Sequence, residues 1–391
     1  MPSIVPALED QIAQLNVQAF WKELTFSQNT FSPEPGKGEY ELADNVVWLG
    51  NHAFALQLKQ RDGATSDPEQ ERRWFKKKVL TTATRQIRDT LRFLREHDVT
   101  ITNERGRVFD VRGAQLEGVT SIISFVGSNA LPQDCWNTRY HVSATAGFIH
   151  IVPAEDYFRI LETLRVPGDI REYFAYREKV LLQLDPATVT EADVMGAFIA
   201  DEPMPTEHSH DHLGLFVQDL QDFDISWLIG NLFDHIQADD KSQDYCQIML
   251  EFARVPRSVW RAFKERFKMA VDAANDGKYV KPFLFAFPAT DCTFMIAVPP
   301  PDLPVSGADG DSTRLTGLKN FTDAAAYLTK TSRAVGLLVS KDGAYFQLDW
   351  CRLDLPWAPN PAMDALLEKS NPFRPLQERT LTSFHFANGE S

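Results

Sequence analysis

The chain has 391 residues, 43% of them hydrophobic and 24% charged, the composition of a soluble globular protein large enough for two or three domains. Its net charge of −14 opposes binding to a phosphate backbone, so nucleic-acid recognition requires a locally basic surface. No apolar run approaches the roughly 18 residues of a membrane-crossing helix, and the N-terminus has neither a basic start nor an apolar signal core. The expected setting is cytoplasmic, with no membrane partner. Cys135, Cys246, Cys292 and Cys351 show no Cys-x-x-Cys spacing, which argues against a zinc ribbon or a disulfide framework and leaves buried thiols.

The first informative element runs from Asp44 to Lys59. Gly50-Asn51 is a two-residue turn signal between apolar runs and predicts a β-hairpin. Such a turn pairs Leu49 with His52 and, counting back, Asp44 with Gln57. Alternation along the strands sends Gln57, Lys59, Val46, Trp48, Ala53 and Ala55 to one face, and Val47, Leu49, Phe54, Leu56 and Leu58 to the other. Directly opposed Cβ atoms lie about 5 Å apart, close enough for the Asp44 carboxylate and the Gln57 amide oxygen to share a small cation. Mg²⁺ or Mn²⁺ takes oxygen ligands. Asp44 supplies a charged oxygen, Gln57 a neutral one, and the Leu58 carbonyl a third wherever the sheet leaves it free. Lys59 can stabilise charge on a phosphate or orient an attacking water. The plain alternative is the solvent-facing end of a half-buried hairpin.

Ser66-Asp67-Pro68-Glu69 is a helix start, and the Pro- and Gly-free segment to Glu96 reads as one long helix. From Arg72 to Arg95 there are nine basic residues against the single acid Asp89. At 100° per residue, Lys77, Lys78, Arg85, Arg88, Arg92 and Arg95 share one arc, while Phe75, Val79, Leu80, Ala83, Ile87, Leu91 and Leu94 form the opposite, core-facing arc. Gln86 and Thr90 fall inside the apolar arc, where an amide needs a partner or a polar pocket. A solvated helix face usually mixes both signs. This one is nearly all positive and suits a nucleic-acid backbone.

Further on, Val108 to Val111, Val119 to Val126 and Tyr140 to Val152 read as strands, and Glu155 to Leu164 and Asp169 to Leu184 as helices. The first domain is therefore α/β and spans 1–185, with 186–212 as linker, the stretch from Asp201 to His212 being Pro-, His- and acid-rich. A third segment, 213–391, begins with helices at Trp227 to Ile236, Asp244 to Ala253 and Arg257 to Ala274. It ends as an α+β module, with strands at Pro282 to Pro288, Thr293 to Val298, Ala334 to Ser340 and Ala344 to Trp350. Thr322 to Thr329 forms a helix between them, after an exposed loop from Pro299 to Thr313. His208, His210 and His212 read as an exposed polar tract rather than a metal site, and Asp309-Gly310-Asp311-Ser312 as a turn, since no glutamate follows at the spacing of a calcium loop. Nucleotide-binding P-loop, serine-esterase and dinucleotide fingerprints are absent.

An acid at the start of one strand, Gln57-Leu58-Lys59 on the next and a helix packed behind resembles the PD-(D/E)XK, or restriction-endonuclease-like, nuclease superfamily. The Gln-x-Lys form is similar to the Mrr-type and NERD-type branches. The resemblance covers roughly residues 15 to 130. It implies a mixed sheet flanked by helices and a Mg²⁺-dependent endonuclease that hydrolyses phosphodiester bonds by metal-activated water, with DNA preferred over RNA and a role in defence against foreign DNA. It also assigns Asp44, Gln57 and Lys59 to the catalytic centre, Gln86 on the following helix, and Glu23 in Phe20-Trp21-Lys22-Glu23-Leu24 as the acid of the N-terminal helix. The metal would sit on Asp44, Gln57 and the Leu58 carbonyl, and Lys77, Lys78, Arg85, Arg88 and Arg92 would neutralise phosphates. The C-terminal module would be regulatory, sensing or oligomerising, through a second copy or a protein partner. An uncharged Gln57 weakens metal binding, so the competing expectation is a degenerate nuclease fold that binds nucleic acid or protein without cutting.

Overall fold

The computed structural model describes residues 7–27, 29–32, 38–61, 63, 65–97, 99–110, 118–214, 226–236, 244–300 and 308–377. The chain divides into a first unit extending to Gln218 and a second beginning at Asp219. Each contains its own sheet.

In the first unit, helix α1 (Leu8–Phe20) precedes the short strands β1 (Thr25–Phe26), β2 (Thr30–Phe31) and β3 (Tyr40–Glu41). The hairpin follows as β4 (Asn45–Trp48) and β5 (His52–Gln60). A continuous helical stretch comes next: α2 (Pro68–Trp74), a wide-turned π segment (Phe75–Ala83) and α3 (Thr84–Glu96). Asp67 caps it, its Oδ1 accepting the Glu69 N–H at 2.9 Å. Strands β6 (Thr100–Thr102), β7 (Val108–Asp110) and β8 (Gly118–Val126), helix α4 (Gln133–Trp136) and strands β9 (Tyr140–Ser143) and β10 (Gly147–Pro153) lead to α5 (Ala154–Leu164), α6 (Pro167–Gln183) and α7 (Glu191–Ile199).

The main sheet has the order β1-β4-β5-β8-β10-β9. It is mixed: β8 lies parallel to both β5 and β10, and the remaining pairings are antiparallel. On one face, Ala55, Ile123, Ile149 and Ile151 bury against Phe75, Val79, Ala83 and Ile87 of the long helix. On the other, Phe54 packs its ring on Phe20 of α1 and Phe174 of α6, at centroid distances of 5.2 and 6.0 Å. The stretch expected as a linker, 186–212, carries α7 instead, with a Thr190–Asp193 capping box and a nearly continuous run of buried side chains. Composition signalled the loop only where it begins, after Ile199.

The second unit holds a sheet of order β11 (Phe283–Phe287), β12 (Cys292–Ala297), β13 (Arg333–Asp342), β14 (Tyr345–Asp354). Strands β12 and β13 are parallel, and the helix Ala308–Thr329 lies between them in the chain, covering one face with Leu318 and Ala325 against Met295, Ala297 and Leu338. The helices Asp244–Arg254 and Arg257–Asn275 cover the other face, where Phe252 meets Phe294 at 5.1 Å. The helix expected from Thr322 thus starts at Ala308, and Asp309-Gly310-Asp311-Ser312 form its first turn rather than a loop. Tertiary contacts override these weak helix formers: Arg314, one turn on, is buried and pairs with Asp349. Residues 301–307 of the expected loop lie outside the described residues.

Candidate functional site

The hairpin has the register that its turn dictates. Asn45 faces Leu56 and Val47 faces Phe54, so Asp44, one residue ahead of β4, stands opposite Gln57. The Lys59 ammonium is 3.2 Å from Asp44 Oδ2, 3.5 Å from Gln57 Oε1 and 2.7 Å from the Leu58 carbonyl oxygen. Asp44 Oδ2 also accepts the Leu58 backbone N–H, which fixes the carboxylate against the strand. Gln57 is buried at 2% exposure, whereas the Asp44 and Lys59 side chains keep 10% and 14%. The three oxygens therefore converge on one cation at the rim of the sheet.

Helix α3 is tied to the segment between β3 and β4 that carries Asp44. Thr90 donates its hydroxyl to the Leu42 carbonyl, and the same oxygen lies 3.0 Å from the Gln86 carbonyl, a turn earlier. Gln86 thus sits between Ala83, which packs in the same cluster as Ala55, and Thr90, which holds Leu42. Its Oε1 is buried with no partner among the described residues. An orphaned buried acceptor costs about 1–3 kcal/mol and marks a place that a ligand or its solvation shell can satisfy.

Glu23 does not join this group. Helix α1 ends at Phe20, and Trp21 takes a left-handed φ of 67°, so Glu23 lies beyond the helix rather than on it. Thr25 faces Val47, which puts Glu23 level with the Gly50 turn, at the opposite end of β4 from Asp44. There its carboxylate accepts from Arg105 Nε at 2.7 Å. Glu41 instead feels the charges of Asp44 and Lys59. Strand β3 pairs with β2 in a separate ribbon, so alternation counted back from β4 does not govern where Glu41 points. Burial raises its carboxyl above the usual carboxylate range, the charges of Asp44 and Glu9 raise it further, and Lys59 opposes them. The acid that α1 contributes to this electrostatic neighbourhood is Glu9, which spacing alone did not single out.

No family model, curated protein or solved structure matches this chain. What the site can do is read from its own residues.

The basic helix departs from regular α geometry where it crosses the sheet. Thr81 and Thr82 each donate a hydroxyl to the carbonyl five residues back, Lys76 and Lys77, at 2.9 Å. The buried positions Glu71, Phe75, Val79, Ala83 and Ile87 recur every four residues. In an α-helix each such step overshoots a turn by about 40° and the stripe drifts off the sheet. Wider turns hold it in place. Lys76, Lys77, Lys78, Arg85, Arg88, Arg92 and Arg95 are all exposed. Arg92 pairs with Asp89 at 2.9 Å, while Lys77, Lys78, Arg85 and Arg88 make no ion pair with a described residue.

The histidine tract is divided between separate carboxylates, His210 Nδ1 with Asp193 at 2.7 Å and His212 Nε2 with Glu202 at 3.2 Å. The Asp193 hydrogen bond raises the His210 imidazole above its ordinary value. Among the described residues, no three His, Cys, Asp or Glu side chains gather as metal ligands.

A second charged cluster escaped the sequence altogether. Glu191 of α7 accepts from Arg177 Nε at 2.8 Å, Arg139 Nη2 at 2.5 Å and the Tyr173 hydroxyl. Arg177 also meets His150 Nδ1 at 3.1 Å. Burial raises the Glu191 carboxyl, but the two guanidinium groups overrule it and hold the group well below the carboxylate range. Burial, then Arg177, keep His150 neutral.

Proposed function

We propose that the first unit is a divalent-metal-dependent phosphodiesterase acting on DNA, built as a restriction-endonuclease-like domain. The observation that carries this reading is the convergence of Asp44 Oδ2, Gln57 Oε1 and the Leu58 carbonyl on a single cation, the Lys59 ammonium. These are hard oxygen donors of one carboxylate, one amide and one backbone carbonyl, which fits Mg²⁺ or Mn²⁺ rather than a thiophilic ion. Such an ion would polarise a phosphoryl oxygen and acidify water. Lys59 would hold charge developing on the phosphate, and Gln86, whose amide oxygen has no partner among the described residues, would orient water or substrate. Glu41 replaces Glu23 as the auxiliary acid. Exposed Lys77, Lys78, Arg85 and Arg88, with Arg92 beyond them, supply a phosphate track on a chain that is otherwise acidic. The second unit would regulate, sense or oligomerise, and defence against foreign DNA is the setting that the resemblance implies.

A second reading is favoured by the uncharged Gln57: one carboxylate gives a weak metal site, and the unit would bind nucleic acid or a protein without cutting. Incubating the full chain with supercoiled, linear duplex and single-stranded DNA and with RNA, in Mg²⁺, Mn²⁺ or EDTA, separates the two. The phosphodiesterase reading expects cleavage of DNA that EDTA abolishes. Gel shifts with no cleavage under either metal would favour the binding module.

A further inference from the structure

We infer that Lys59 is an internal cation that competes with the divalent ion for its three oxygens, so that loading the metal requires the ammonium to leave them. This rests on the phosphodiesterase reading and adds a control to it. The three distances from Lys59 Nζ, 3.2, 3.5 and 2.7 Å, run to the same atoms that would ligate a metal. A divalent ion binds such oxygens at about 2.0–2.1 Å in the case of Mg²⁺. It cannot do so while an ammonium occupies the space between them, because two cations there repel each other and claim the same lone pairs. Asp44 Oδ2 has little spare capacity, since it also accepts the Leu58 N–H. The lysine, in contrast, can move: its head sits on a flexible stem and keeps 14% exposure.

The competition has a direction. A DNA phosphate arriving along the basic helix offers Lys59 another anionic partner, which frees the oxygens, and a bound metal in turn frees Lys59 for the phosphate. Metal and DNA then bind cooperatively, each strengthening the other by the same factor. In the absence of DNA the site's own lysine weakens its hold on metal.

The test is Mn²⁺ affinity, measured by electron paramagnetic resonance on the full chain without DNA. The expected result is that Lys59→Met binds Mn²⁺ about tenfold more tightly than the unmodified protein, Lys59→Arg binds no more tightly than it, and Asp44→Asn loses the site. Lys59→Gln serves as the neutral variant if the methionine form fails to give a cooperative melt. Equal or weaker binding by the neutral variants, with Asp44→Asn still abolishing it, overturns the competition and leaves the metal site standing. If Asp44→Asn binds as the unmodified protein does, or no form binds Mn²⁺, the metal site itself is wrong and the inference falls with it.

Discussion

The Asp44 and Glu191 clusters each centre on one carboxylate, yet they are built to opposite ends. Around Glu191 nearly every lone pair is taken: two arginines and a tyrosine hydroxyl converge on it, and Arg177 is completely buried. Around Asp44 a single lysine spans three oxygens at the sheet rim, and on α3 the Gln86 amide oxygen has no partner among the described residues. A closed cluster locks elements together. An open one, under-satisfied and reachable, is where a ligand has something to gain.

The contrast is sharpest in stability. Glu191→Gln leaves Arg139 and Arg177 buried without their counter-charge, and thermal or urea melting should show a loss of about 3–5 kcal/mol. The pH dependence follows in sign. The Glu191 carboxyl is depressed in the folded chain relative to its ordinary 4.5, so its contribution is complete above that value and is lost as pH falls toward the folded one. Asp44→Asn should reverse the pattern, with a small change in melting and a loss of DNA cleavage of about 100-fold or more. A large stability loss there would make Asp44 a structural residue like Glu191. Next in size, Lys77→Ala with Arg88→Ala should flatten the salt dependence of DNA binding by about 0.9 in logarithmic slope for each phosphate contact removed. An unchanged slope would return that face to ordinary solvation. The smallest effect belongs to His210, an exposed imidazole raised by Asp193. Its stabilisation is complete below the ordinary imidazole value and disappears as pH rises through the raised one. Proton resonance titration should find the shift in the unmodified chain and its loss in Asp193→Asn.

What was legible in the sequence was local. A two-residue turn fixes register, register fixes parity, and parity brings Asp44, Gln57 and Lys59 together. The basic helix was legible for the same reason, although its buried stripe at steps of four residues conceals a wide-turned segment that a 100° wheel cannot represent. Glu23 went astray because the left-handed Trp21 ends α1 too early for Glu23 to lie on it. The sequence carries no signal for the direction of Glu41, because its strand pairs in another ribbon and its orientation does not follow from Asp44. The Glu191 cluster had no local signal: Arg139 is 52 residues away in sequence and Arg177 14, and only the packing of α6 and α7 beside the start of β9 unites them.

Conversion of supercoiled plasmid to nicked or linear DNA, compared between the unmodified chain and Asp44→Asn at equal folded concentration in Mg²⁺, tests the central claim most directly. The unmodified protein should convert the plasmid and stop in EDTA, while Asp44→Asn, melting at nearly the same temperature, should leave it supercoiled. Equal conversion by both proteins would contradict the assignment of the hairpin as the catalytic site.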